Sequence, residues 1–211
     1  MTLGIDVLLL SVDPGLRVVR DRESTGYAMR AADLIELAVA RRVGVRGGWV
    51  RWLHVLDARP TGEPLLDASL ASLAASGKQL PADWICEQAG VVNEGLALLE
   101  AQGAVRLYSR RLTSRLTLTE PMLLDPARQG RIRSRLDRFV AAGSAADVLD
   151  WALAGLVYEG NLWIPGHYDR AAWRRYKEAA RGERGRSGTD HVEATIRDLV
   201  RATRTAMNRE R

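Results

Sequence analysis

Arg106, Arg110, Arg111 and Arg115 crowd one short stretch of this chain, and guanidinium forks of this kind suit the oxygens of phosphate or carboxylate. Basic charge is concentrated rather than spread. Residues 106–140 carry a net +6 and residues 170–211 another +6, whereas residues 1–105 sum to −3 and residues 141–169 to −4. Two such blocks can draw a protein to an anionic surface, at about 1 kcal/mol per basic residue close to acidic lipid. They are also the ordinary composition of a solvated face. Catalytic groupings are sparse. His54, His167 and His191 are scattered, none in a His-x-x-x-His spacing that would gather a metal. A nucleophile elbow, a Walker loop and a dinucleotide fingerprint are all absent. Asp33 and Glu36 lie one helical turn apart and could form a carboxylate pair, but the other face of their helix is apolar, so they are expected to face solvent. The residues lean away from an enzyme, and neither a metal nor a cofactor is expected.

The elements that must position these groups read as one domain over 1–211, long enough to bury a core. Leu8 to Val12 is a short apolar helix or strand closed by the turn Asp13-Pro14-Gly15. Ser24 or Thr25 caps a helix from about Tyr27 to Ala40. Val43 to Val45, Gly47-Gly48 and Trp49 to Val55 form a hairpin, with Trp49, Arg51, Leu53 and Val55 on one strand face. Further helices are expected from Pro64 to Ala75, a short one at Pro81, and one from Val91 to Gln102 ended by Gly103. A second hairpin joins Ala104–Leu107 to Arg115–Leu118. Helices follow from Pro126 to Ala142, Ala145 to Tyr158, Asp169 to Ala180 and Asp190 to Met207, with residues 181–188 as a flexible linker before the last. The fold class is mainly α, a compact helical domain with two small β-hairpins.

Cys86, the only cysteine, excludes an internal disulfide framework, fits a reducing compartment and reads as a buried thiol. No apolar run reaches the roughly 20 residues of a spanning helix, and the start lacks a basic n-region. The expected location is cytoplasmic, with any membrane contact peripheral at the inner face. Two lysines among 31 basic residues, with much alanine and glycine, fit a GC-rich bacterial gene. Six tryptophans stand against one phenylalanine, and Trp163, in a Leu-Trp-Ile-Pro-Gly loop, reads first as core and second as a pocket or interface residue.

Several segments in order carry a resemblance: Asp6-Val7-Leu8-Leu9-Leu10, Met29 to Ala38, Arg59-Pro60-Thr61-Gly62-Glu63-Pro64-Leu65-Leu66-Asp67, Glu100 to Val105, Arg115 to Leu118, and the helix after Asp125-Pro126. Together they resemble the Golgi phosphoprotein 3 family, whose eukaryotic members bind phosphatidylinositol 4-phosphate at membrane surfaces. The resemblance implies a head-group site built from a loop indole, an arginine of the first long helix and two arginines of a later helix. Those positions fall at Asp21, Arg30, Ala89 and Val92, so only Arg30 is kept. Two lost forks and an added carboxylate imply that phosphatidylinositol 4-phosphate binds weakly, unless Arg17, Arg20 or Arg22 substitutes. The resemblance further implies that the 106–118 hairpin, with Tyr108, Arg110, Arg111 and Leu112, supports homo-oligomer formation and membrane approach. An exposed hairpin whose arginines protect an edge is the plainer reading.

The expected function is a peripheral binder of anionic lipid head groups or of another small anionic ligand. One alternative is the family fold repurposed as a small-molecule, biosynthetic enzyme. Another is a winged-helix-like DNA reader, because Trp84 to Leu107 runs helix, turn, helix and hairpin. Its second helix offers Asn93, Glu94, Glu100 and Gln102 and no basic residue, which opposes phosphate contact, so nucleic acid is not the expected partner.

Overall fold

A computed structural model describes residues 2–87, 90–111, 117–142, 147–162, 174 and 191–209. Among them run eight helices: α1 (Leu3–Ser11), α2 (Arg22–Val39), α3 (Pro64–Ser76), α4 (Pro81–Cys86), α5 (Val91–Ala101), α6 (Pro126–Ala142), α7 (Val148–Glu159) and α8 (His191–Arg209). Three antiparallel two-stranded hairpins join them, β1–β2 (Val12–Asp13, Val18–Val19), β3–β4 (Val43–Arg46, Trp52–Val55) and β5–β6 (Val105–Arg111, Thr117–Leu123). The domain is mainly α, as expected. The expected helix over 169–180, apart from residue 174, the linker 181–188 and the Trp163 loop lie outside the described residues.

α1 is the centre of the domain. All nine of its residues are buried, which suits a leucine-rich helix with no polar face to give to water. It packs against α2, α5, α6 and α7, and α8 closes over α2, α4 and α7. Its one carboxylate, Asp6, receives Arg135 Nη1 at 2.5 Å, and the same guanidinium donates through Nε to Asp150 at 2.6 Å. Burial still holds the Asp6 carboxyl above its usual range, although Arg135 pulls the other way. At the other end of α1, buried Gln129 donates to the carbonyls of Leu9 at 2.7 Å and Val12 at 2.9 Å. Those are carbonyls that the helix end leaves without a helical partner.

Two expectations need correcting. A third hairpin exists because Asp13 Oδ1 accepts from the amides of Gly15 and Leu16, at 2.9 and 3.0 Å, and folds the turn back on itself. The strand expected from Trp49 starts only at Trp52, since the register pairs Arg46 with Trp52 and leaves residues 47–51 as the turn. Gly47 sits there at φ +135, where a Cβ would fall 2.0 Å from the Val50 carbonyl oxygen.

α1 and α2 run antiparallel. The Arg20 amide donates to the Ser11 carbonyl at 2.8 Å, and the Leu3 amide donates to Glu36 Oε2 at 2.8 Å. Hairpin β1–β2 therefore stands at the start of α2 with β6 beside β2, and β3–β4 stands at its far end.

Candidate functional site

α2 is the rail on which the site is built. Asp21 caps its start, taking a left-handed backbone at φ 41 while its side chain accepts from the Ser24 amide. From there the buried stripe of Tyr27, Met29, Leu34 and Leu37 fixes the helix rotation, and Arg30 and Asp33 are carried toward α3. The guanidinium of Arg30 lies over the indole of Trp84 from α4, 3.4 Å from its ring centroid. Its Nη1 donates to Ser69 Oγ of α3 at 3.3 Å, and that hydroxyl donates to Asp33 Oδ2 at 2.7 Å. Arg30, Ser69 and Asp33 thus form a chain across α2 and α3 on an indole floor. Trp84 is wholly buried, so the platform cannot swing away.

This chain forms one wall of a cavity of about 200 Å³ between α2, α3 and α5, with Leu65, Ala68, Ser72, Glu87, Val91 and Glu94 making up the rest. Among the described residues no carboxylate forms an ion pair with Arg30, and burial holds the guanidinium below its ordinary value, with the charges of Asp33, Glu87 and Glu94 opposing. Burial pushes the Asp33 carboxyl up to about 7, opposed by the Ser69 hydrogen bond and by Arg30. Burial also lifts Glu36 to about 7, with the Leu3 amide opposing and Asp33 adding to the rise.

Asp33 does not face solvent, and Glu36 is half-buried, whereas the sequence had led one to expect a solvated pair. Asp33 is only 4% exposed because α3 packs over that side of α2 and lines it with a serine rather than an apolar residue. Asp33, Ser69, Trp84, Glu87 and Glu94 were not among the predicted site residues. An acid one turn beyond Arg30 was the available signal, and it carries no hint of what α3 and α4 bring to it.

Of the predicted residues, Arg30 lies in the cavity wall. Val92 turns into the core at 4% exposure, and Val91, one residue earlier, takes the wall. Ala89 is outside the described residues. Asp21 is used as the helix cap. Arg20 is engaged by Asp13 Oδ2, through Nε at 2.9 Å and Nη2 at 2.8 Å, and Arg22 donates to Asn93 Oδ1. Arg17, at φ 53, is exposed in the β1–β2 turn. None of these three arginines lines the cavity. In the β5–β6 hairpin Tyr108 is exposed and pairs with Glu120, and the backbones of Arg110 and Arg111 pair with Leu118 and Thr117. Leu112 lies outside the described residues. The α5 helix, second in the winged-helix reading, is packed against α1, α2 and β5, with Val91, Val92, Leu96 and Leu99 buried. Among the described residues no helix is long and apolar enough to cross a membrane, and no three His, Cys, Asp or Glu side chains are grouped to hold a metal.

A model of the family described as Golgi phosphoprotein 3 (GPP34) matches residues 3–203, nearly the whole chain. No curated protein matches it.

Proposed function

The chain belongs to the Golgi phosphoprotein 3 family, and from that premise we propose that it is a peripheral binder of anionic head groups that takes a single phosphate or carboxylate on Arg30. One observation carries the reading: a half-buried guanidinium lies over an indole at a cavity wall, hydrogen-bonded to a neutral hydroxyl and with no described carboxylate in ion-pair range. Guanidiniums withdrawn from water are ordinarily paired. This one is held in place by stacking and left with donors for a ligand.

The rest of the lining narrows the ligand. Glu87 and Glu94 oppose a second negative charge, which speaks against a multiply phosphorylated inositol. They and the Ser69–Asp33 pair instead suit hydroxyls, because a carboxylate accepts and a hydroxyl donates. A singly charged phosphodiester with a hydroxyl-bearing head group, such as phosphatidylglycerol, fits both halves.

The test is to measure the binding of vesicles containing phosphatidylglycerol, and of soluble glycerol phosphate, to the wild-type chain and to Arg30→Ala. A charge-assisted hydrogen bond contributes roughly 1.5–3 kcal/mol, so the variant should bind both about tenfold more weakly or worse. Equal affinities would sink the reading.

A second reading rests on Asp33. A carboxyl at about 7 in a cavity beside a guanidinium has the composition of a general acid–base pair. A small-molecule screen by thermal shift, in which hits depend on Asp33 and vesicles give no response, would favour catalysis over lipid.

A further inference from the structure

We propose that the tip of the β3–β4 hairpin is a membrane-interface anchor: the Trp49 indole enters the head-group layer of an anionic bilayer, and Arg46 meets its phosphates.

The indole of Trp49 is wholly exposed, at 105% of its reference area, and Val50 beside it is 48% exposed. This is not a loose end of a poorly packed hairpin. Val45 and Leu53 are buried at its base, and the Leu53 amide donates to the Gln79 carbonyl at 2.9 Å. Lys78 lies over the neighbouring indole of Trp52 at 4.5 Å, and Arg51 is tied to Asp198 of α8 at 2.6 Å. The base is therefore fixed to the domain, and the Gly47 turn projects Trp49 away from it. An indole has an apolar body and one N–H, so it is at home where hydrocarbon meets head groups and out of place in bulk water.

Charge agrees with that placement. Residues 41–59 hold five arginines and one acid, Asp57. Asp57 pairs with Arg42 and Arg59, and Asp198 takes Arg51. Arg46, at the turn end of β3, remains exposed and without a carboxylate partner among the described residues, and Arg41 adds an exposed charge behind it at the hairpin's base. Summing charge over residues 1–105 hides this local excess. The exposed apolar tip is small, one indole of about 150–250 Å² with Val50 beside it, against about 800 Å² on each side of a stable protein interface, and a bilayer needs no larger patch.

The proposal shares only the bilayer with the function proposed above and needs nothing in the Arg30 cavity. It is tested by pelleting with phosphatidylglycerol/phosphatidylcholine vesicles and with phosphatidylcholine alone, with circular dichroism confirming that each variant is folded. Trp49→Ser should weaken partitioning about tenfold. Arg46→Ala should weaken it several-fold on the acidic vesicles only. The emission difference between wild type and Trp49→Phe should shift to the blue when acidic vesicles are added. Unchanged partitioning of Trp49→Ser, or an unshifted difference spectrum, overturns the anchor. So does a light-scattering mass that falls in Trp49→Ser while partitioning holds, since the tip would then be a contact between copies. Loss in Arg30→Ala alone rejects the anchor and leaves the cavity reading standing, and loss in Trp49→Ser alone does the reverse.

Discussion

Asp33 shows how much a single residue's meaning depends on what is placed beside it. Its carboxyl rises from the usual 3.8 to about 7 because α3 removes water from it faster than Ser69 and Arg30 compensate. The sign of the stability effect follows. Between about pH 4 and 7 the unfolded chain has released this proton and the folded chain still holds it, so stability falls as pH rises and levels off above about 7. The rise corresponds to at most about 4 kcal/mol. Urea denaturation of Asp33→Asn should show a flatter pH profile over that window and a gain over wild type at pH 8. Glu36 contributes to the same decline, and removing the Asp33 charge should ease it, because Asp33 helps hold Glu36 up to about 7. A wild-type profile that rises with pH across this window would contradict the burial described here.

At the scale of elements, the domain depends on a helix that no propensity scale would call stable by itself. α1 is nine residues long and buried on every side, too short to hold as an isolated helix. The carbonyls of Leu9, in its last turn, and of Val12, just beyond it, are satisfied from α6 by the Gln129 amide across more than a hundred residues of sequence. Gln129→Leu keeps similar bulk but leaves two buried carbonyls without their donor. It should cost on the order of 2–4 kcal/mol, read as a lower urea midpoint with an unchanged slope. The α5 helix is placed by an equally specific fit. A Cβ on Gly95 would come within 2.7 Å of both Leu8 and Met29, so glycine lets α5 close on α1 and α2 and set Val91 and Glu94 at the cavity.

The whole molecule presents two different ends. Helix α2 has 18 residues and so is about 27 Å long, with β1–β2 and β5–β6 at its start and β3–β4 beyond its finish. A flat bilayer meets one end or the other. Arg106→Ala with Tyr108→Ser, at the first end, and Trp49→Ser, at the second, should therefore affect vesicle pelleting unequally, with the larger loss at Trp49. Equal losses would mean that the molecule lies along the surface. Exposed charges are screened within about 8–10 Å at physiological ionic strength, so binding to acidic vesicles should weaken several-fold between about 50 and 300 mM salt. A salt-independent Kd would remove charge from the account.

Much of the fold was written locally. Prolines at Pro64, Pro81 and Pro126 open helices where the sequence places them, glycine ends α5 at Gly103, and the hydrophobic spacing of Met29, Leu34 and Leu37 orients α2. The ordered segments from Asp6-Val7-Leu8 to Asp125-Pro126 carried the family, and with it Arg30. What lay beyond sequence was every property that arises when separate elements meet. Asp33 and Glu36 looked like a solvated pair because helical periodicity reports which face is apolar and says nothing of a serine arriving from α3. Val91 and Val92 are equally apolar, and only the rotation of α5 sends one to the cavity and the other to the core. The Trp49 tip was hidden by register: a strand drawn three residues too long put the indole on a sheet face, whereas the turn at Gly47 puts it in water. Periodicity and turn chemistry are local and can be read along a chain, but burial, pairing and the pKa of a carboxyl belong to contacts between residues far apart in sequence, and only the tertiary structure decides them.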